Sequence, residues 1–563
     1  MRKKNLFLSI LAGLTLIGCS SENDVLTGGD TDPVNKSTSY MAVNLMSSDV
    51  MGTRALAGYE DGASEENKVT SVRFYFFNGA GGAVNVKYQT NGSYVNYYDW
   101  TPGDTNQESG TVDGDDIESK LKATIVINTA GGDKIPQRIA AVLNPTGLDN
   151  NSKSLSELKA IVADYAASGL TTNGKFVMFN SVGGGGKDFS TTLIEKTNLC
   201  KSEKEALNNP VTIYVERSVA KVRVTLGTAV SAAGTTTGLA LKDKDDKDIL
   251  VDGKPVYLKL DGWGLTAETS EGRLIKKINP GWEGTGWYKD HRSFWAINSK
   301  TATNKYKNYG DIDTSFGEGN ALYTNENAQL TDVDGSEGQA KERTKVIFKG
   351  TLCKKDGTPL TIVRHLGAYF GDTESEAEST NLIELKKSIL NQLAANGKHY
   401  YYATTGGREQ IGTGDLQIVI ASQQDASKKS CYVYAQLTDD AAKNKTWYNS
   451  MEASAQPIDN AANEINGYLA NPDVVDRALV WKSGMTYYYH EIEHKYGETN
   501  QFGVVRNHIY AVNVTAIAGL GTPVYDPDQI IYPETPGGNS HYIAAQINIL
   551  SWRVVNNDVQ LGK

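Results

Sequence analysis

Apolar residues along this chain recur with a period of two far more often than with the period of a helix. Val72, Phe74 and Phe76 alternate in SVRFYFF, and Ala123, Ile125 and Ile127 alternate in KATIVIN. Short β-branched and aromatic runs of the same kind return in TIYV, AKVRVTL, VYLKL, TKVIFKG, LQIVIA, CYVYAQL, HIYAVNVTAI and AAQINIL, bounded by Gly, Asn and Asp. Alternation places one face of a strand on a core and the other toward water, so the pattern predicts antiparallel sandwich strands. The 56 glycines and 30 tyrosines suit many turns and half-buried strands. Two segments read as helices. Ser154 and Glu157 resemble a capping box ahead of the stripe Leu155, Leu158, Ile161 and Tyr165. Asn381 to Glu384 makes a similar start, with Leu385, Ile389 and Leu393 following and Gly397 placed to stop the helix. One short helix in each half predicts two domains of similar plan, joined by the strand-rich stretch 211–226. A Pro-punctuated linker, 522–539, sets the tail apart.

The N-terminus breaks this pattern. Arg2, Lys3 and Lys4 precede an apolar run from Asn5 to Ile17. That run is too short to cross a bilayer comfortably, which takes about 20 apolar residues, so residues 1–18 read as an export signal. The signal ends in Leu16-Ile17-Gly18-Cys19, which resembles the lipobox of bacterial lipoprotein precursors. The resemblance implies a lipid on Cys19 and an outer-membrane lipoprotein as the first form of the chain. Residues 20–38 are polar and rich in turn formers and read as a flexible tether.

Composition narrows the partners. The 563 residues carry a net charge of −10, which argues against a phosphate-binding surface and hence against nucleic acid. There are four cysteines. With Cys19 lipidated, Cys200, Cys353 and Cys431 remain; three cannot all pair, so a disulfide framework is not expected. Stability must come from packing and backbone pairing.

Several motifs invite a chemical reading and fall short of it. His490-Glu491-Ile492-Glu493-His494 fits the H-E-x-x-H zinc pattern, and Gly497 extends it, but Asn500 stands where a third histidine belongs. The lead-in Gly484 to Tyr489 favours a strand, which would hold positions 490 and 494 about 13 Å apart, too far to chelate one ion. Gly183 to Lys187 lacks the first glycine and the Ser or Thr of a phosphate loop, and reads as a flexible loop. Asp243, Asp245 and Asp248 lack the glycine and terminal glutamate of a calcium loop, and read as a solvated turn. No catalytic residue, metal or cofactor is assigned.

The informative residues lie at the two ends. Met41, Val43 and Leu45 alternate in an isolated strand after the tether, followed by Arg54 and Ala55 in a loop of small residues. At the far end Ile543, Ala545, Ile547 and Ile549 alternate, and Trp552 and Val554 continue on shifted parity. Internal stretches add to these: Val215 to Val222 (VERSVAKV), Tyr323 to Asn327 (YTNEN) and Val505 to Tyr510 (VRNHIY). Together they resemble the fimbrillins, shaft pilins of Bacteroidales type V pili, and within them the minor-fimbrium type.

The resemblance implies a mainly β fold of two tandem transthyretin-like sandwich domains and a C-terminal donor-strand arm. Its expected divisions are a signal peptide at 1–18, a lipidated propeptide at 19–54, domains at 55–226 and 227–521, and a linker with the arm at 522–563. It implies cleavage between Arg54 and Ala55 by an arginine-specific protease, and loss of the strand bearing Met41, Val43 and Leu45. The groove so opened would take the tail of another subunit, through Ile543, Ala545, Ile547, Ile549, Trp552 and Val554. Expected partners are identical subunits in a head-to-tail filament, anchor and tip fimbrial subunits, the protease, and host or bacterial surface ligands. The alternative is a lipid-anchored monomer that binds glycans through Trp263, Trp282, Trp287, Tyr288 and Trp295; a zinc hydrolase at His490 and His494 is a third reading.

Overall fold

A computed structural model describes residues 37–47, 59–60, 62–89, 91–103, 107–109, 119–129, 135–172, 174–180, 190–243, 245–277, 297–327, 342–371, 380–420, 432–494, 503–524, 526–533, 543–544 and 552–561. Its architecture is mainly β, as the alternation predicts.

The first sheet runs, in hydrogen-bonded order, Tyr97–Trp100, Val72–Phe77, Arg138–Leu143, Met178–Asn180, Val211–Arg217, Ser37–Ser47, Ser119–Thr129 and Gln107–Ser109. Phe74, Phe76, Ile125, Ile139, Ile213 and the helix residue Leu158 fill the core against it. The second body is a sandwich. One layer orders Tyr59–Glu60, Trp552–Leu561, His508–Ile517, Val219–Leu226 and Ala321–Asn325; the other orders Leu239–Ala240, Tyr257–Thr266, Lys345–Cys353, Met485–Glu491 and Thr522–Pro523. Val222, Val224, Trp263, Phe348, Tyr510 and Val512 pack between them.

The chain passes from the first sheet to the second through a single residue. Val211–Arg217 belongs to one and Val219–Leu226 to the other, with Ser218 between them. The expected division at 226/227 is therefore not where the sheets divide; the crossing lies at Ser218, because the alternation of Ala220, Val222 and Val224 fits the second core. Leu274 and Ile275 return from the second half to pack in the first core.

A third core was not expected. Residues 354–484 enter and leave through Lys345–Cys353 and Met485–Glu491, which are hydrogen-bonded neighbours with Thr351 opposite Met485. Between them Val363, Leu385, Ile389, Leu393, Trp447, Ile465 and Val480 form a separate cluster. Gly484 turns the chain back into the sandwich with φ 73°, and a Cβ there would fall 2.1 Å from the Leu352 carbonyl oxygen.

This inserted lobe corrects the expectation of one short helix per half. It carries Thr380–Ala395, Asp439–Asn444 and Ala461–Ala470, while the first half adds Ser64–Asn67 and Glu203–Asn208 to Leu155–Lys159. The Thr380–Ala395 helix stops as expected, with Gly397 at φ 73°. The helix after Ser154 has its capping box but ends at Lys159. Val162–Ala163 pairs instead with Gly272–Arg273, and that strand pairing overrides the helical stripe toward Tyr165.

Candidate strand-exchange site

The strand Ser37–Ser47 is an interior member of its sheet. It runs parallel to Val211–Arg217 on one side and antiparallel to Ser119–Thr129 on the other. Met41 lies opposite Ile125; Val43 lies opposite Ala123 and Val211; Leu45 lies opposite Leu121 and Ile213. Met41 and Val43 are fully buried in the first core. The other face is covered too, since Ala42 packs with Cys200 and Ala206 beneath the short helix Glu203–Asn208. Ser202 caps that helix, accepting from the Glu205 amide at 3.3 Å.

Removing this strand would leave two ladders of unpaired backbone groups facing each other, one along Val211–Arg217 and one along Ser119–Thr129. Between them Leu121, Ile125 and Ile213 would lose their cover. Open strand edges over apolar floors are templates for pairing with another chain.

Cys19, Arg54 and Ala55 lie outside the described residues. The chain is described again at Tyr59–Glu60 and the helical turn Ser64–Asn67, and there it is tied down. Glu66 is buried and pairs with Lys221 at 2.7 Å. Tyr323 donates its hydroxyl to the same carboxylate, and Arg217 Nε donates to the Glu66 carbonyl at 3.2 Å. Burial by itself would raise the Glu66 pKa, but the neighbouring Arg217 and Lys221 outweigh it and hold the carboxyl below its ordinary value.

The tail strand Trp552–Leu561 lies parallel to His508–Ile517 on its own second sheet, with Val554 opposite Ile509. Its other edge meets Tyr59–Glu60, with Trp552 opposite Glu60. Ile543–Ala544 pairs with Gln560 and Leu561. Ala545, Ile547 and Ile549 lie outside the described residues.

The three internal stretches that carried the family resemblance converge where the bodies meet. Arg217 donates to Asn507 Oδ1 at 3.0 Å and also to Asn67. Arg506 pairs with Glu326 at 3.0 Å and donates to the carbonyls of Leu274 and Arg273. Lys276 lies 3.1 Å from Glu216 and 3.7 Å from Glu326. Burial pushes the Glu216 carboxyl up, against the pull of Lys276 and Arg506. Sequence reasoning quoted Glu216, Arg217, Glu326, Arg506 and Asn507 without a role, and missed Glu66 and Lys276. Charge inside an otherwise apolar strand was the available signal for Glu216 and Arg217, but Glu66 lies in the helical turn Ser64–Asn67 and Lys276 outside the described strands, where no such pattern marks them.

The tempting motifs resolve into structure. His490 lies in the strand Met485–Glu491, and His494 Nδ1 sits 2.9 Å from the Tyr510 hydroxyl. Asp243 accepts from the amides of Asp245 and Lys247 in a turn. Trp263 is a core residue whose Nε1 donates to the Ser315 carbonyl at 2.9 Å. Gly183 to Lys187 and the other four aromatics of the proposed glycan cluster lie outside the described residues.

Residues 480–558 match the family model described as major fimbrial subunit protein type IV, fimbrillin, C-terminal. The matched stretch holds Met485–Glu491, His508–Ile517 and most of the tail strand. Residues 480–558 are a fimbrillin C-terminal region. The matching description is that of a fimbrial subunit, a structural protein. No curated protein matches the chain.

Among solved structures, a fimbrilin (fimA) from Porphyromonas gingivalis W83 is 12% identical, with 93% of this chain and 96% of that one covered and a TM-score of 0.35. A cell adhesion protein, so described, from Parabacteroides distasonis ATCC 8503 is 10% identical, with 93% and 99% covered and a TM-score of 0.32. The tip fimbrial protein Mfa3 of Porphyromonas gingivalis is 13% identical over 59% of this chain and 84% of its own, with a TM-score of 0.28.

Proposed function

We propose that this fimbrillin is a structural subunit of a cell-surface fimbria, exported as a lipoprotein precursor and polymerised by strand exchange. The observation that carries the reading is the seat of Ser37–Ser47. It is an interior strand with both faces covered, yet it precedes Arg54, while Glu66 and Asn67 just beyond are fastened to the junction. A cut between Arg54 and Ala55 severs the chain connection between the strand and the rest of the fold, leaving it held by its two ladders and its packing alone. The lipid on Cys19 leaves with it.

The strand that replaces it comes from the tail of a second subunit by β-augmentation. Each Ile or Val side chain it buries contributes about 1.5–3 kcal/mol before the cost of ordering the arm. Two backbone ladders add to that, so subunits would separate very slowly. Arm and groove are different surfaces, so the contact is head-to-tail and propagates as an open filament. In this scheme 19–54 is a propeptide and 522–563 is the linker and arm. Anchor and tip subunits would end the filament, and adhesion to host or bacterial surfaces is its use.

The test is biochemical. Purified precursor treated with an arginine-specific protease should yield a chain beginning at Ala55 that forms SDS-resistant ladders. A variant ending before Tyr542 should be trimmed and remain monomeric. Ladders from that variant would remove the tail from the mechanism.

A further inference from the structure

The seat of the first strand constrains its next occupant, and the tail contains a segment that meets the constraint. We infer that residues 540–547 of a second copy fill the seat, with Ile543 at the position of Met41 and Ala544 at the position of Ala42. The inference rests on the strand-exchange reading and adds the segment, the register and the direction.

The first observation is in the sequence. Thr38-Ser39-Tyr40-Met41-Ala42-Val43-Asn44-Leu45 and Ser540-His541-Tyr542-Ile543-Ala544-Ala545-Gln546-Ile547 align without a gap. Tyrosine meets tyrosine and alanine meets alanine. Thr to Ser, Met to Ile, Val to Ala, Asn to Gln and Leu to Ile each keep their character. Ser39 to His541 is the one change of kind. Like aligns with like in the same chain direction, so the incoming strand would run parallel to Val211–Arg217 and antiparallel to Ser119–Thr129, as the first strand does.

The second observation is in the packing. Met41 and Val43 are fully buried in the core, and Ala42 is buried on the opposite face against Cys200 and Ala206. Both sides of the seat are therefore closed, and the closed outer side has room for a methyl group. A shift of one residue would turn the apolar set of the tail to the wrong face. A shift of two keeps the apolar face, with Ala545 at Met41 and Ile547 at Val43, but it places Gln546 at Ala42. A glutamine there overfills the space beneath the Glu203–Asn208 helix and buries its amide against a cysteine and an alanine. Ala544 fits as Ala42 does. The chosen register underfills one place, since Ala545 stands where Val43 stood.

The two parts of the tail are held very unequally. Trp552–Leu561 is paired along the length of its own His508–Ile517 and against Tyr59–Glu60, whereas Ile543–Ala544 is held by a two-residue pairing with Leu561 and Gln560 that the arm would give up. The copy of the first strand lies just before Trp552–Leu561.

Cys200 supplies a built-in reporter of register. In the uncut precursor, Ala42→Cys should form a disulfide with Cys200 on mild oxidation; failure to link would remove the premise that Cys200 faces this position, and the choice of register with it. In filaments of trimmed protein, Ala544→Cys should link to Cys200 of the next subunit in most contacts, identified by mass spectrometry of the joined peptides. The link should vanish in Cys200→Ser, and Gln546→Cys should not form one. Linkage through Gln546→Cys alone, or intact filaments linked by neither variant, overturns the register while leaving strand exchange standing. Trimmed wild-type protein that never polymerises takes down the strand-exchange reading, and this inference with it.

Discussion

Arg217 and Asn507 stand 290 positions apart in the chain, yet the guanidinium donates to the Asn507 side-chain oxygen at 3.0 Å where the two bodies meet. The same guanidinium reaches the Glu66 carbonyl and the Asn67 side chain. Three separate stretches are thus held by one planar fork of donors. Replacing Arg217 by Ala leaves the Glu66 carbonyl and the Asn67 and Asn507 side-chain oxygens without this donor, while Lys221 and Tyr323 still hold the Glu66 carboxylate. Stability in denaturant unfolding should fall by about 1–3 kcal/mol for each buried acceptor left unsatisfied. Lys in its place should recover little, because a point charge cannot serve three acceptors at once.

Acid should weaken this junction through Glu66. Its folded pKa lies below the ordinary value of 4.5, because Arg217 and Lys221 outweigh the opposing effect of burial. The stability it contributes is therefore fully present above pH 4.5 and is lost as pH falls through the depressed folded value. Glu216 has a raised pKa and works in the opposite sense, gaining protons in the folded state first. Unfolding followed from pH 6 to 3 should show a loss that Glu66→Gln flattens; an unchanged slope in that variant would assign the acid sensitivity elsewhere.

Trimming should be visible in hydrogen exchange. Backbone amides along Ser119–Thr129 and Val211–Arg217 pair with the first strand from either side. In trimmed monomers those two stretches should lose protection, while His508–Ile517 keeps it. Polymerisation should restore it.

Gly484 offers a test of the lobe's attachment. Its positive φ and the 2.1 Å approach of a Cβ to the Leu352 carbonyl leave no room for a side chain. Gly484→Ala should cost about 1–3 kcal/mol or more, since strain and backbone collision add. The fall in melting temperature would measure it.

Much of the plan was legible because strand alternation is local. Met41 and Val43 announced a strand with one buried face, and the structure places both in the core. That the strand is interior depends on Val211 and Ala123, which no local pattern connects to it. The inserted lobe was illegible for a related reason. LQIVIA and CYVYAQL look like sandwich strands, and Gln417 does pair with Gln436, but within the lobe's own sheet. Its helix Ala461–Ala470 contains Gly467, a poor helical signal. The junction charges were visible as charges, but their partners come from distant stretches, and only folding shows which meets which.

The lobe's two points of attachment carry a further consequence. Thr351 and Met485 face each other as neighbours in one sheet, and just beyond them Leu360, Ile362 and Trp481 still pack in the sandwich core. The residues of the lobe's separate core, among them Leu385, Ile389, Trp447 and Ile465, can then change without touching the sandwich core. A chain built this way holds its sandwich constant while the lobe it carries is left room to vary.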